Sequence, residues 1–95
     1  MYARVASFEG GDTEQLRQMM EERMAAGTMD MPEGVQRTMA LEGDGRRLFI
    51  TFFDSREALE AAEEGFDRMG DEIPAEIRGR RVSVDVYEVL FDQEI

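Results

Sequence analysis

Ninety-five residues carry a formal net charge of −11, with 22 acidic and 11 basic side chains, no histidine and no cysteine. That inventory excludes disulfides, thiolate nucleophiles, imidazole bases and metal sites built on Cys or His, and, because every cation is arginine, Schiff-base lysines as well. It argues against a nucleic-acid partner, which needs clustered cations against its phosphates, and it leaves length for one domain, 1–95, with one modest core.

No apolar run approaches the roughly 18 residues of a membrane span, and the opening Met1-Tyr2-Ala3-Arg4 enters a strand without an apolar signal core. The expectation is a cytoplasmic protein with no membrane partner. Tyr2 to Phe8 alternates, with Ala3, Val5 and Ser7 on one face and Tyr2, Arg4, Ala6 and Phe8 on the other, which predicts a first strand. Gly10-Gly11 breaks it. Asp12 stands three residues before Gln15, the spacing of a capping box, and predicts the start of a helix over about 13–26. Leu16, Met19, Met20 and Met24 form its apolar stripe, and Gly27 suits the residue just past its end.

Thr28 to Gly34, with Pro32, reads as a loop. Val35 to Glu42 alternates as a second strand and runs into Gly43-Asp44-Gly45, a hairpin signal. Leu48 to Phe53 is a third strand, apolar on both faces with only Thr51 between the large side chains, so both faces look buried. Asp54 and Ser55 are alternative caps for a second helix over about 56–70, whose apolar stripe is Leu59, Ala62, Phe66 and Met69. Gly65 within it suggests a close packing contact. An irregular connection ends at Gly79, and Arg80 to Phe91 is a final strand, with Val82, Val84 and Val86 on one face and Tyr87, Val89 and Phe91 on the other.

The order β-α-β-β-α-β predicts an α+β, ferredoxin-like domain: an antiparallel sheet with two helices on one face. Helices cover one face only. Strands that are apolar on both faces then call for a second cover, and another copy of the same sheet is the simplest one. The expectation is a homodimer whose two sheets close into a dimeric α+β barrel, with Phe49, Tyr87, Val89 and Phe91 as candidate interface residues.

Four stretches in this order resemble the antibiotic-biosynthesis-monooxygenase-like family: the Met1-Tyr2-Ala3-Arg4-Val5 strand, Pro32-Glu33-Gly34-Val35, Phe52-Phe53-Asp54-Ser55-Arg56-Glu57-Ala58-Leu59, and Tyr87-Glu88-Val89. The resemblance spans nearly the whole chain and implies a dimeric α+β barrel with a ligand pocket between helices and sheet, and a last strand reaching toward the partner. Candidate pocket residues are Val5, Met20, Met24, Phe53 and Phe66. Quinone-forming members of that family work without metal or flavin, using Asn, Trp and Tyr or His, and haem-degrading relatives hold iron with a helix-two His. This chain departs at those places: Val5 is near the strand-one Asn position, Phe53 stands at the Trp position, and no His exists to hold iron. The resemblance therefore implies no haem oxygenation, no cofactor, and no assigned catalytic, cofactor-binding or metal-ligating residue.

Glu57, Glu60, Glu63, Glu64 and Asp67 read as the solvated side of the second helix, and no EF-hand spacing occurs. Met19, Met20, Met24, Met29, Met31 and Met39 suit either core filling or an adaptable ligand surface. Arg4 and Arg37 stand in strand positions where apolar residues are expected, to pair with acids across the dimer or to hold an anionic ligand group. Tyr2 and Tyr87 read as strand-edge or dimer contacts. The same element order occurs in RNA-recognition motifs, but strand one lacks their aromatic pattern, and the charge has the wrong sign. Two functions stand on this sequence: a dimeric barrel binding a small apolar or aromatic ligand, and a cofactor-independent monooxygenase-like enzyme acting on an aromatic or polyketide-like substrate. The pocket discriminates them, since an enzyme needs polar groups converging on the bound molecule.

Overall fold

The computed structural model describes residues 1–27 and 31–95. Its elements run β1 Tyr2–Glu9, α1 Thr13–Ala26, β2 Val35–Gly43, β3 Arg46–Phe53, α2 Arg56–Glu72, α3 Ala75–Arg78 and β4 Arg80–Glu88. The strands form one sheet in the order β2-β3-β1-β4, with every neighbouring pair antiparallel. This is the ferredoxin-like α+β arrangement. The expectations for Thr28 and Met29 lie outside the described residues.

Local chemistry places each element boundary. The Asp12 side chain accepts from the Gln15 amide N–H at 3.1 Å to cap α1, and the Gln15 side chain returns a bond to Asp12. Gly27 ends that helix in the left-handed region, donating its N–H to the Arg23 and Met24 carbonyls. Of the two candidate caps for α2, Ser55 serves, its hydroxyl accepting from Ala58 N–H at 3.1 Å. Asp44 and Gly45 both have positive φ, the primed two-residue turn whose twist suits the β2–β3 hairpin.

The pairing register settles which side chains share a face. Tyr2 opposes Phe53, Arg4 opposes Thr51, and Ala6 opposes Phe49, with β1 and β3 in regular register from end to end. These residues face the helices. Fully buried Phe53 packs there with Leu59 and Ala62 of α2, flanked by Tyr2, Val35, Ala58 and Phe66. Leu16 is the buried residue of α1. The opposite face carries Ala3, Val5, Met39, Leu48, Ile50, Phe52 and Tyr87, and no helix or strand among the described residues lies across it.

Three expectations change. The last strand stops at Glu88 rather than Phe91, because its neighbour β1 runs out: Glu88 pairs with Tyr2, and Val89 N–H makes one more bond, to the Met1 carbonyl. The irregular connection before it contains the single turn α3. Gly65 marks no close contact, since a Cβ there would lie 3.8 Å from the nearest atom, Cγ of Pro32.

Candidate functional site

Because α1 and α2 sit over the same sheet face without closing on each other, space remains between them and the sheet. An inner cavity of about 400 Å³ has β1 and β3 as its floor. Its walls are apolar and largely aromatic: Phe8 and Phe49, edge-to-face at 5.5 Å, then Phe66, Leu16, Met20 and Met69. An outer cleft of about 600 Å³ opens between the two helices. Leu16, Met20, Met31, Met69 and Ile73 line both, so this group of side chains forms the partition between them.

Polar groups enter the inner cavity at one row of the floor. Arg4, Thr51 and Thr38 are consecutive partners across β1, β3 and β2, and all three line the cavity. Arg4 is only 5% exposed. Its Nε donates to Glu63 Oε1 at 2.8 Å and its Nη2 to Oε2 at 3.4 Å, while the guanidinium carbon lies 4.4 Å from the Phe66 ring centre. One edge of the guanidinium is thus taken by a carboxylate and one face by an aromatic ring, an arrangement that makes a buried cation tolerable. Nη1 makes no hydrogen bond among the described residues. At the cavity rim, Arg81 meets Asp67 at 3.0 Å, and Arg78 lies 4.0 Å from Asp71 while donating to the Gly70 carbonyl.

A second buried arginine holds the end of the site without entering it. Arg47 donates to the Thr13 hydroxyl at 3.0 Å, to the Arg78 carbonyl at 2.7 Å and to the Gly10 carbonyl. It ties the β1–α1 turn, the end of α3 and β3 together. Gly11 and Gly79 have positive φ and crowd against it, which no side chain would permit.

The candidate pocket residues separate. Met20 and Phe66 line the inner cavity together. Phe53 lies beneath it in the core, edge-to-face with Phe66 at 6.0 Å. Met24 is 60% exposed and lines neither space, and Val5 points to the opposite sheet face, because residues alternate along β1 and Arg4 and Ala6 face inward. Among the candidate interface residues, Phe49 lines the inner cavity, since β3 carries no bulge that would separate its face from that of Phe53. Tyr87 lies on the open face, and Val89 and Phe91 follow the end of β4, with Phe91 largely exposed.

The acids of α2 divide as well. Glu63 and Asp67 turn to Arg4 and Arg81, whereas Glu60 pairs with Arg56 on the exposed helix surface. Arg4 pairs within its own protomer, and Arg37 is exposed on β2. Sequence reasoning passed over Thr51 and Thr38 as site residues. The signal for Thr51 was its isolation as the single hydroxyl in a strand otherwise apolar on both faces. Among the described residues, no three His, Cys, Asp or Glu side chains gather as a metal site would require. No helix among them is long and apolar enough to cross a membrane.

No protein-family model and no curated protein matches the chain. Among solved structures, it is similar to a point mutant of MhuD crystallised with two manganese protoporphyrin IX molecules bound per active site. The match has a TM-score of 0.60 and 14% identity, and covers 99% of both chains. At that identity the likeness is one of fold, the α+β arrangement of an antiparallel four-stranded sheet with its helices described above.

Proposed function

We propose that the chain is a cytoplasmic, homodimeric α+β barrel protein that binds a small apolar or aromatic ligand in the inner cavity of each protomer. The observation that carries this reading is the cavity itself: about 400 Å³ between helices and sheet, walled by Phe8, Phe49 and Phe66 and by methionines. Its size falls in the range of small-molecule sites, which are mostly apolar with a few placed polar groups. The MhuD mutant holds a flat aromatic macrocycle in its active site, which supports the ligand class. A porphyrin metal would find no imidazole or thiolate ligand here, because the chain has neither side chain.

Homodimerisation is supported by the open sheet face. Val5, Met39, Ile50 and Phe52 leave an apolar surface that no element among the described residues covers, and surfaces of that kind on soluble proteins mark interfaces. A second copy laid across it by a twofold axis would cover both faces at once.

The test is saturable binding of a neutral aromatic probe, 2-naphthalenemethanol, followed by ligand-observed NMR. The expected result is binding that Ala6→Leu weakens at least several-fold, because Ala6 lines the cavity floor. Failure of the wild-type protein to bind the probe counts against the reading. The second reading, a cofactor-independent monooxygenase-like enzyme, draws on the convergence of Arg4 and Thr51 in an apolar space. Oxygen uptake with anthrone as substrate, above that of a protein-free control, would favour it.

A further inference from the structure

The floor of the inner cavity holds two polar side chains with unused hydrogen-bonding capacity. Thr51 is only 4% exposed, lines the cavity, and its hydroxyl has no partner among the described residues. Arg4, directly opposite on β1, is equally buried and keeps Nη1 free on the side away from Glu63. Neither atom is sealed off: among the described residues the buried side-chain nitrogen or oxygen without a partner is Arg47 Nε, so these two groups stay reachable from the cavity their residues line. Neighbouring strands are about 4.8 Å apart, so the Thr51 and Thr38 hydroxyls stand side by side on the floor, and Arg4, from the next strand, extends its guanidinium over the cavity to Glu63 and Phe66 of α2. A guanidinium edge beside two hydroxyls matches the two oxygens of a carboxylate, which accept several hydrogen bonds in one plane. Each cation of the lining already has an acid beside it, Arg4 with Glu63, Arg78 with Asp71 and Arg81 with Asp67, so what the floor offers a ligand is the hydrogen-bonding capacity of Arg4 Nη1 and the hydroxyls.

Resting on the ligand-binding reading above, we propose that the inner cavity takes a monocarboxylate with an apolar or aromatic body. Its carboxylate is held by Arg4 and Thr51, with Thr38 at the mouth, and its body lies against Phe8, Phe49 and Phe66. Glu63 and Phe66 are positioning residues: they fix the guanidinium so that its free edge points to the cavity. A neutral oxygen such as a ketone could accept from the same donors, but a single uncharged acceptor atom would engage fewer of them and without charge assistance.

The experiment compares 2-naphthoate with 2-naphthalenemethanol, alike in ring and differing in head group, by calorimetry on the wild-type protein. A charge-assisted pair in a dry site is worth about tenfold or more in affinity, so naphthoate is expected to bind about tenfold more tightly than the alcohol. Arg4→Met should erase that preference, bringing naphthoate affinity down to that of the alcohol or below. Thr51→Val, nearly isosteric, should reduce naphthoate affinity several-fold with the fold intact by circular dichroism, and it stands as the test should Arg4→Met fail to fold. Equal binding of the two probes, or a carboxylate preference that survives either substitution, overturns the proposal and leaves the ligand-binding reading in place. Binding of neither probe removes the ligand-binding reading itself.

Discussion

Nη2 of Arg47 sits 2.7 Å from where a Cβ on Gly79 would be, and at the same time donates to the carbonyl of Arg78. The buried cation and the missing side chain occupy one another's space. Gly79 also has φ +82, and a Cβ there would meet the Glu9 and Gly10 carbonyls at 2.6 and 2.7 Å. Gly79→Ala is therefore expected to destabilise the fold by well over about 1 kcal/mol, the ordinary cost of a side chain at an incompatible position. Urea denaturation reads this directly, and a stability within about 0.5 kcal/mol of wild type would contradict the packing.

Gly65 should behave in the opposite way. It lies within α2 with ordinary helical geometry and space for a methyl group. Gly65→Ala is expected to stabilise the protein by up to about 1 kcal/mol, the difference between the two residues in helix propensity. A fall in the denaturation midpoint would show that the space is less free than the geometry indicates.

The open sheet face predicts a contrast between neighbours in β3. Phe52→Asp places a charge on the face expected to meet the partner sheet, and should convert a dimer to a folded monomer by analytical ultracentrifugation. Phe49→Asp buries a charge in the inner cavity against Phe8, and should lower protomer stability by several kcal/mol, on the order of the cost of an unpaired buried charge. Equal effects of the two substitutions on assembly would mean the faces have been assigned wrongly, and a monomeric wild type would remove the dimer.

Glu9 links three strands at the sheet's end. Arg46 hydrogen-bonds its carboxylate at 2.8 Å and attracts it by charge, and Arg80, at 3.2 Å, adds to both effects. Its pKa is held below the usual 4.5. Because the folded value is the lower one, the pair's contribution to stability is present above the unfolded pKa and is lost as pH falls through the folded pKa. An NMR titration of the Glu9 side-chain carboxyl should give a midpoint below 4.5 that Arg46→Met shifts upward. Glu9→Gln should flatten this part of the acid limb of the stability profile only slightly, since the group is exposed and screened.

The elements of this fold were legible because their punctuation is local. Asp12 with Gln15, Ser55 with Ala58, and the Asp44-Gly45 turn are short-range devices, readable from spacing alone. The alternation along β1 assigned its two faces correctly, with Arg4 and Ala6 apart from Ala3 and Val5. The site was harder to read because it depends on register between strands distant in sequence. That Arg4 stands opposite Thr51 follows from pairing across 47 positions, which no local pattern reveals. The same holds for Phe49, since β3 is apolar on both faces and periodicity cannot say which face looks toward the helices. The end of β4 escaped notice for a related reason: Tyr87 to Phe91 continues a strand pattern, and only the length of its neighbour β1 stops it.

The shared wall of the two cavities determines how the site measures what enters it. Met20, Met31 and Met69 are unbranched and rotate about several bonds at little cost, so the boundary they form is a curtain of movable side chains. A long molecule fixed at the floor can part that curtain and extend into the outer cleft, whereas a short one leaves it drawn. Such a site discriminates poorly by the length of its occupant, and what selectivity it has resides in the rigid end, where strand backbones hold the arginine and the threonine in place.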